Sequence, residues 1–279
     1  MNARTPKSIL ITGCSSGIGL CVANGLKARG HHVIATARRK EDVTRLQLSG
    51  FDAFHLDLRD SLSIQNTVKE TLNCTKGKLD ALFNNGAYGQ AGALEDITRD
   101  VLREQFETNL FGWHELTNII LPIMRKQGHG RIIQNSSVLG FVSLPYRGAY
   151  NASKYALEGL TDTLRQELRG TNIYLSLIEP GPIKSKFRQN ALSAFNRHID
   201  VEHSAHKSKY ILLLARLKKQ GTSSIFTLEP EAVLKKVVHA LENSKPKVRY
   251  YVTFPTYLFG FLKRILSQRI LDMITSKVE

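Results

Sequence analysis

Tyr150 and Lys154 stand four residues apart in "GAYNASKYALEG", residues 148 to 159. On a helix that spacing puts one side chain above the other, so a phenol and an ammonium meet while the small Ala152 and Ser153 turn elsewhere. A phenol beside a positive charge gives up and recovers its proton more readily than a free one, which is acid–base chemistry. Taken alone, a tyrosine and a lysine at this spacing are equally a half-exposed pair on a surface helix. The rest of the chain must supply a reaction.

"ILITGCSSGIGLCVANGLKARG" begins as a strand, turns through Gly13, Gly17 and Gly19, and continues as a helix. Glycines permit the tight turn and let a pyrophosphate approach the backbone, and the free N–H groups of the helix start favour its charge. The spacing is G-x-x-x-G-x-G, not G-x-G-x-x-G. A glycine cluster alone can be purely steric, but the strand before it and the helix after it make a dinucleotide loop the stronger reading. The second strand ends at "ATARR", where sites for NAD usually carry an acid that holds the ribose hydroxyls. Here Ala37 takes that end and Arg38 and Arg39 follow, and guanidinium can clamp a 2′-phosphate that a carboxylate would repel. NADP(H) is favoured over NAD(H). Arg39, more readily than Arg38, also fits as a surface residue ending the strand.

These residues need a frame. Apolar runs at 8–13, 32–37, 51–57, 79–85, 131–137, 173–181 and 250–254 alternate with helical patterns at 17–29, 61–75, 99–127, 148–169 and 230–243. That rhythm predicts an α/β fold: a single-domain, Rossmann-type, doubly wound parallel sheet of about seven strands over residues 1–279. Residues 184–228 read as a helical substrate lid after the sixth strand, and 255–275 as a C-terminal amphipathic helix whose apolar run, Thr256 to Leu262, is too short to span a bilayer.

Composition narrows the function. A hydrophobic content of 42% over 279 residues is globular, with no repeat or low-complexity segment. Cys14, Cys21 and Cys74 have no metal-ligand spacing, and their odd number argues against a disulfide framework. The N-terminal run "ILI" is shorter than a secretory segment, so a cytoplasmic protein is expected. The net charge is +15, and residues 184–279 carry 18 Lys and Arg against 7 Asp and Glu. These bases are scattered, mostly at helical spacing, without the interleaved aromatics of a strand-binding groove, so a solvated basic face is expected rather than a nucleic-acid partner. Peripheral membrane contact through the C-terminal helix stays open. His198, His203 and His206 fit no metal motif, so no metal is expected.

With "TGCSSGIG" at 12–19 and the Tyr150/Lys154 pair both present, the chain resembles the short-chain dehydrogenase/reductase family over residues 7 to about 185. Further pieces fall in the family's order: "LDL" with Asp57, "NNGA" at 84–87, "TNLFG" with Asn109, "NSS" with Ser137, and "PGPIKS" with Ile183 and Ser185. The resemblance implies an oxidoreductase in which Asn109, Ser137, Tyr150 and Lys154 are catalytic. It implies that Gly13, Ser15, Ser16, Gly17, Ile18, Gly19, Arg38, Asp57, Asn85, Tyr150, Lys154, Ile183 and Ser185 hold the dinucleotide, with Asp57 at the adenine and Lys154 at the nicotinamide ribose. Gly86 and Ala87 are swapped relative to the family's N-N-A-G, and altered local geometry is expected there. A homodimer or homotetramer is the family's expectation.

Hydride transfer to a carbonyl needs a proton at its oxygen, and Lys154 is expected to lower the Tyr150 pKa towards neutrality. Ser137 is placed to hydrogen-bond the same oxygen; its neighbour Ser136 is the alternative, since adjacent strand residues face opposite ways. Asn109 sits in a helical pattern, either facing solvent or, by the resemblance, holding a water in a proton relay. "VLGFVSLPYRG" supplies apolar Leu139, Phe141, Leu144, Pro145 and Tyr146 as a pocket wall, with Phe187, Leu192 and Phe195 closing over it; packing of the core or a dimer face explains them nearly as well. The expected function is NADP(H)-dependent interconversion of a hydrophobic aldehyde or ketone and its alcohol. The alternatives are an alcohol dehydrogenase working mainly in the oxidative direction and a non-catalytic dinucleotide sensor at a membrane.

Overall fold

Ile9 and Ile11 of β1 (Ser8–Ile11) join the core on one face of a sheet, and Leu10 joins the core on the other. That alternation, with both sets fully buried, is why the strand reads as one apolar run. The computed structural model describes residues 5–219, 221 and 224–278. From β1 the chain runs through α1 (Gly17–Ala28), β2 (His32–Ala37), α2 (Lys40–Leu48), β3 (Asp52–His55), α3 (Ser61–Cys74) and β4 (Ala81–Asn84). It continues through α4 (Arg99–Phe106), α5 (Gly112–Gln127), β5 (Gly130–Asn135), α6 (Gly148–Glu167) and β6 (Ile173–Glu179). The last third holds α7 (Phe187–His198), α8 (Lys207–Lys218), α9 (Glu231–Glu242), β7 (Arg249–Tyr251), α10 (Phe254–Ile265) and α11 (Gln268–Thr275).

All seven strands are parallel, in the order β3-β2-β1-β4-β5-β6-β7. This is the Rossmann-type doubly wound sheet expected. The order reverses between β1 and β4, and the crevice at that switch point is where such sheets bind ligands. Helices α1 and α9 cover the face holding Ile9, Ile11 and Val33; α3, α5 and α6 cover the face holding Leu10, Ile34 and Leu82.

Three expectations change. The pattern at 99–127 is not one helix: a π-helical turn, Glu107–Phe111, separates α4 from α5 and carries Asn109. Such a turn admits an extra residue into the helix and re-aims its side chains, which periodicity alone cannot reveal. The segment 255–275 is two helices, because Leu266 and Ser267 take extended ψ angles of 147° and 153°. Helix α2 was not predicted; its apolar positions are few and only Leu46 is buried.

Candidate active site

Parallel strands bring their C-terminal ends to one edge, where the candidate residues gather. Gly13 and Gly17, after β1, have φ of +72° and +56°. A Cβ on Gly13 would lie 2.6 Å from the Gly86 Cα, and one on Gly19 2.2 Å from the Gly13 carbonyl oxygen. Only hydrogen fits in this cradle. Ser16 is the extended N-cap of α1 and its side chain satisfies no first-turn N–H, which leaves those groups for an anion. The Ser15 carbonyl accepts from Arg45 at 2.6 Å, and Ile18 packs on the core.

Asn85 closes the turn from β4. Its Nδ2 donates to the Thr12 carbonyl at 2.9 Å and its Oδ1 accepts from Asn135 Nδ2 at 2.9 Å. The Asn135 carbonyl in turn accepts from the Lys154 ammonium at 2.7 Å. A continuous line of hydrogen bonds therefore joins Lys154 to the glycine turn. Sequence reasoning missed Asn135, which offered only its place beside Ser137 at a strand end. The reversed Gly86 and Ala87 are accommodated without strain: neither has positive φ, and a Cβ at 86 would come no closer than 3.3 Å to its neighbours.

Tyr150 is half-buried and Lys154 fully buried on α6, with the ammonium 5.7 Å from the phenol ring centroid and 4.3 Å from that of Trp113. Burial pushes the Tyr150 phenol up to about 12, opposed by a hydrogen bond with Ser137. Burial also pushes Lys154 down to about 7, opposed by Glu158. Loss of hydration is the largest influence on each group in the fold, raising the phenol and lowering the ammonium. A phenol held protonated across neutrality is a proton donor.

Ser136 and Ser137 do face opposite ways. The Ser137 hydroxyl accepts from the Leu139 N–H at 3.1 Å and bonds Tyr150, whereas Ser136 turns towards Glu158. Asn109 is buried; its Nδ2 donates to the Tyr88 carbonyl at 2.9 Å and to Ser153 Oγ at 3.2 Å, and its Oδ1 accepts from the Tyr88 N–H at 3.2 Å. Its side chain is buried rather than solvent-facing, and it fixes the loop after β4.

Arg38 is exposed beyond β2 and stabilises the Asp57 carboxylate. Burial alone would raise the Asp57 carboxyl, but Arg59, donating at 3.0 and 3.2 Å, holds it below the usual range. After β6, Ile183 bridges to Leu228, and the Ser185 Cβ is 3.0 Å from where a Gly17 Cβ would lie. Phe187 sets its ring edge-on to Tyr150, with centroids 5.2 Å apart, above Gly89. Other pocket candidates go elsewhere. Phe195 is buried with Tyr210, and Phe141 stacks on Tyr251 at 5.7 Å, on the side of α10 and α11.

Behind Lys154 lies a buried carboxylate cluster with no precedent in the sequence reading. Arg249 donates to Glu179 at 2.7 Å, to Asp162 at 2.6 Å, and to Glu158, one helical turn from Lys154. Burial, with Glu158 alongside, pushes Glu179 up to about 8.

A glycine cradle at a sheet's switch point, with Tyr150 and Lys154 joined to it, fits a dinucleotide-dependent oxidoreductase. The sequence model of the family described as short chain dehydrogenase matches residues 7–195, and the chain belongs to that family. The chain is 44% identical over 268 residues to the oxidoreductase YbbO of Escherichia coli (strain K12), covering 96% of this chain and 93% of that one. It is 31% identical over 276 residues to the NADPH-dependent 3-dehydrocapnine reductase of Ornithobacterium rhinotracheale, covering 96% and 95%. A short-chain dehydrogenase structure from Streptomyces avermitilis superposes with a TM-score of 0.78 at 28% identity, covering 98% and 96%.

Proposed function

We propose that the protein is an NADP(H)-dependent oxidoreductase that interconverts a hydrophobic aldehyde or ketone and its alcohol. The observation that carries this reading is the hydrogen-bonded line from Lys154 through Asn135 and Asn85 to the glycine turn, with Tyr150 and Ser137 beside it. The glycine cradle and the uncapped start of α1 fit a pyrophosphate, and exposed Arg38 fits a 2′-phosphate. A relative that uses NADPH by name supports the same choice. A dinucleotide held there would supply or accept the hydride. Tyr150 gives its proton to the carbonyl oxygen as charge builds there, Ser137 holds that oxygen by its hydroxyl, and Lys154 keeps a positive charge next to the phenolate left behind. In the alcohol-oxidising direction Tyr150 takes the proton back. Asn109 positions these groups through Ser153 and Tyr88, Ser185 lies against Gly17 of the cradle, and Asp57 and Ile183 are assigned to the dinucleotide by the family resemblance.

The apolar Phe187 ring over Tyr150 supports a hydrophobic substrate, which must displace or stack on that ring; α7 and α8 form the lid. The test is a panel of hydrophobic aldehydes, ketones and alcohols followed by the absorbance of NADPH and of NADH. Tyr150→Phe should lose roughly 100-fold or more in kcat while binding the dinucleotide unchanged. Full turnover by that variant would end the proposal.

A further inference from the structure

Helix α10 has two apolar faces. Thr256, Phe259 and Gly260 turn inward and are buried, which is ordinary docking. Phe254, Tyr257, Leu258, Phe261 and Ile265, at the same three-and-four spacing, turn outward and are 39% to 60% exposed. Across from this stripe, the Phe226 ring stacks on Phe254 with centroids 5.3 Å apart, and Ile225 beside it is 92% exposed. A contiguous apolar surface therefore runs from residues 225–226 along α10, larger than scattered exposed side chains make.

Its rim is basic. Exposed Arg264 on α10 and Arg269 on α11 border it, and exposed Lys263 beside them donates to the Phe141 carbonyl; among the described residues of the two helices the one exposed acid is Asp272, which accepts from Gln268 at 2.7 Å. Among the described residues no helix is long and apolar enough to cross a membrane. An exposed apolar stripe with a cationic border suits a helix lying flat at an anionic lipid surface. A second copy of this chain fits worse, because a two-fold contact through this face would oppose one basic rim to another.

We infer that the outer face of α10, with Ile225 and Phe226, docks on an anionic lipid bilayer. This goes beyond the oxidoreductase reading and does not depend on it. Leu228, next along from the patch, donates to the Pro182 carbonyl and bridges to Ile183, so the docked face adjoins the segment that reaches the glycine turn. An apolar substrate dissolved in lipid would then lie close to the site.

The full chain is sedimented with vesicles of phosphatidylcholine mixed with phosphatidylserine, and with vesicles of phosphatidylcholine alone. Pelleting with the anionic vesicles is expected, weakened about tenfold or more on neutral vesicles or at high salt. Phe261→Glu with Ile265→Glu should abolish it at unchanged circular dichroism. Arg264→Glu with Arg269→Glu, which leaves the apolar stripe intact, should weaken it by a similar factor and decides the matter if the first variant fails to fold. No pelleting, or pelleting indifferent to lipid charge and to both variants, overturns the inference. So does a wild-type dimer that sediments as a monomer in the variants without any lipid binding, which would make the face a contact between copies.

Discussion

The Lys154 ammonium lies 4.3 Å from the centroid of the Trp113 indole, and that indole donates from Nε1 to the Gly86 carbonyl at 2.9 Å. The ring thus contacts the charge with its face and the loop after β4 with its Nε1–H. A desolvated cation on an indole face gains about 2 kcal/mol. Trp113→Leu should lower kcat/KM by roughly tenfold and raise the dinucleotide Kd, with partial rescue by Trp113→Phe. Steady-state kinetics and a binding titration check both. An unchanged Kd would show the indole to be packing alone.

Burial places the Lys154 ionisation at about 7, so the group is charged below that pH and neutral above it. Dinucleotide affinity should therefore fall as pH rises through about 7, and proton uptake should accompany binding at pH above it. Calorimetry in buffers of different ionisation heat reads the uptake directly. In Lys154→Met the uptake should vanish.

Arg38 is the exposed cation beyond β2 proposed to meet the 2′-phosphate. Arg38→Asp exchanges a clamp for a repulsion, and a hydrogen bond to a charged group contributes about 1.5–3 kcal/mol. The ratio of kcat/KM for NADPH over NADH should drop by roughly 10- to 100-fold, mostly through KM. Equal loss with both dinucleotides would remove Arg38 from the specificity argument.

The sheet and the glycine turn were legible because each rests on local chemistry. Doubly covered strands need continuous apolar residues, and Gly13 needs a conformation and a clearance that side chains forbid. Tyr150 and Lys154 were legible from their spacing and the family resemblance. What escaped was long-range. Asn135 and Trp113 act on Lys154 through the fold, and nothing near them in the chain signals it. The π-helical turn at Asn109 and the break at Leu266 and Ser267 are short departures from a helical period that survives on either side. The pKa directions also needed coordinates, because spacing shows a neighbouring charge but not the loss of water around it.

Phe187 stands at the mouth of the site, its ring against Tyr150. Phe187→Ala should raise kcat/KM for bulky carbonyl compounds and lower it for small ones, each by several-fold, as removal of an apolar contact of about 1–3 kcal/mol predicts. Competition between a long and a short aldehyde in one assay measures the change.

Glu179 ionises at about 8 in the fold, well above its ordinary 4.5. A carboxyl raised in this way favours the folded state at pH below 4.5, and that contribution is lost as pH rises through about 8. Glu179→Gln should consequently narrow the fall in Tm between pH 6 and pH 9, by the equivalent of about 1–2 kcal/mol. Thermal melts at both pH values test it. Identical pH dependence in the two proteins would place the ionisation elsewhere in the cluster.

A side chain at position 13 would strike main chain, which no exchange of a neighbouring residue can trim away; at position 86 the nearest obstacles stand at 3.3 Å and beyond. The two halves of this contact are therefore unequal heirs to mutation. Position 13 admits only glycine, whereas an alanine at 86 would press on the Gly13 nitrogen at 3.3 Å and would need its neighbours to give slightly.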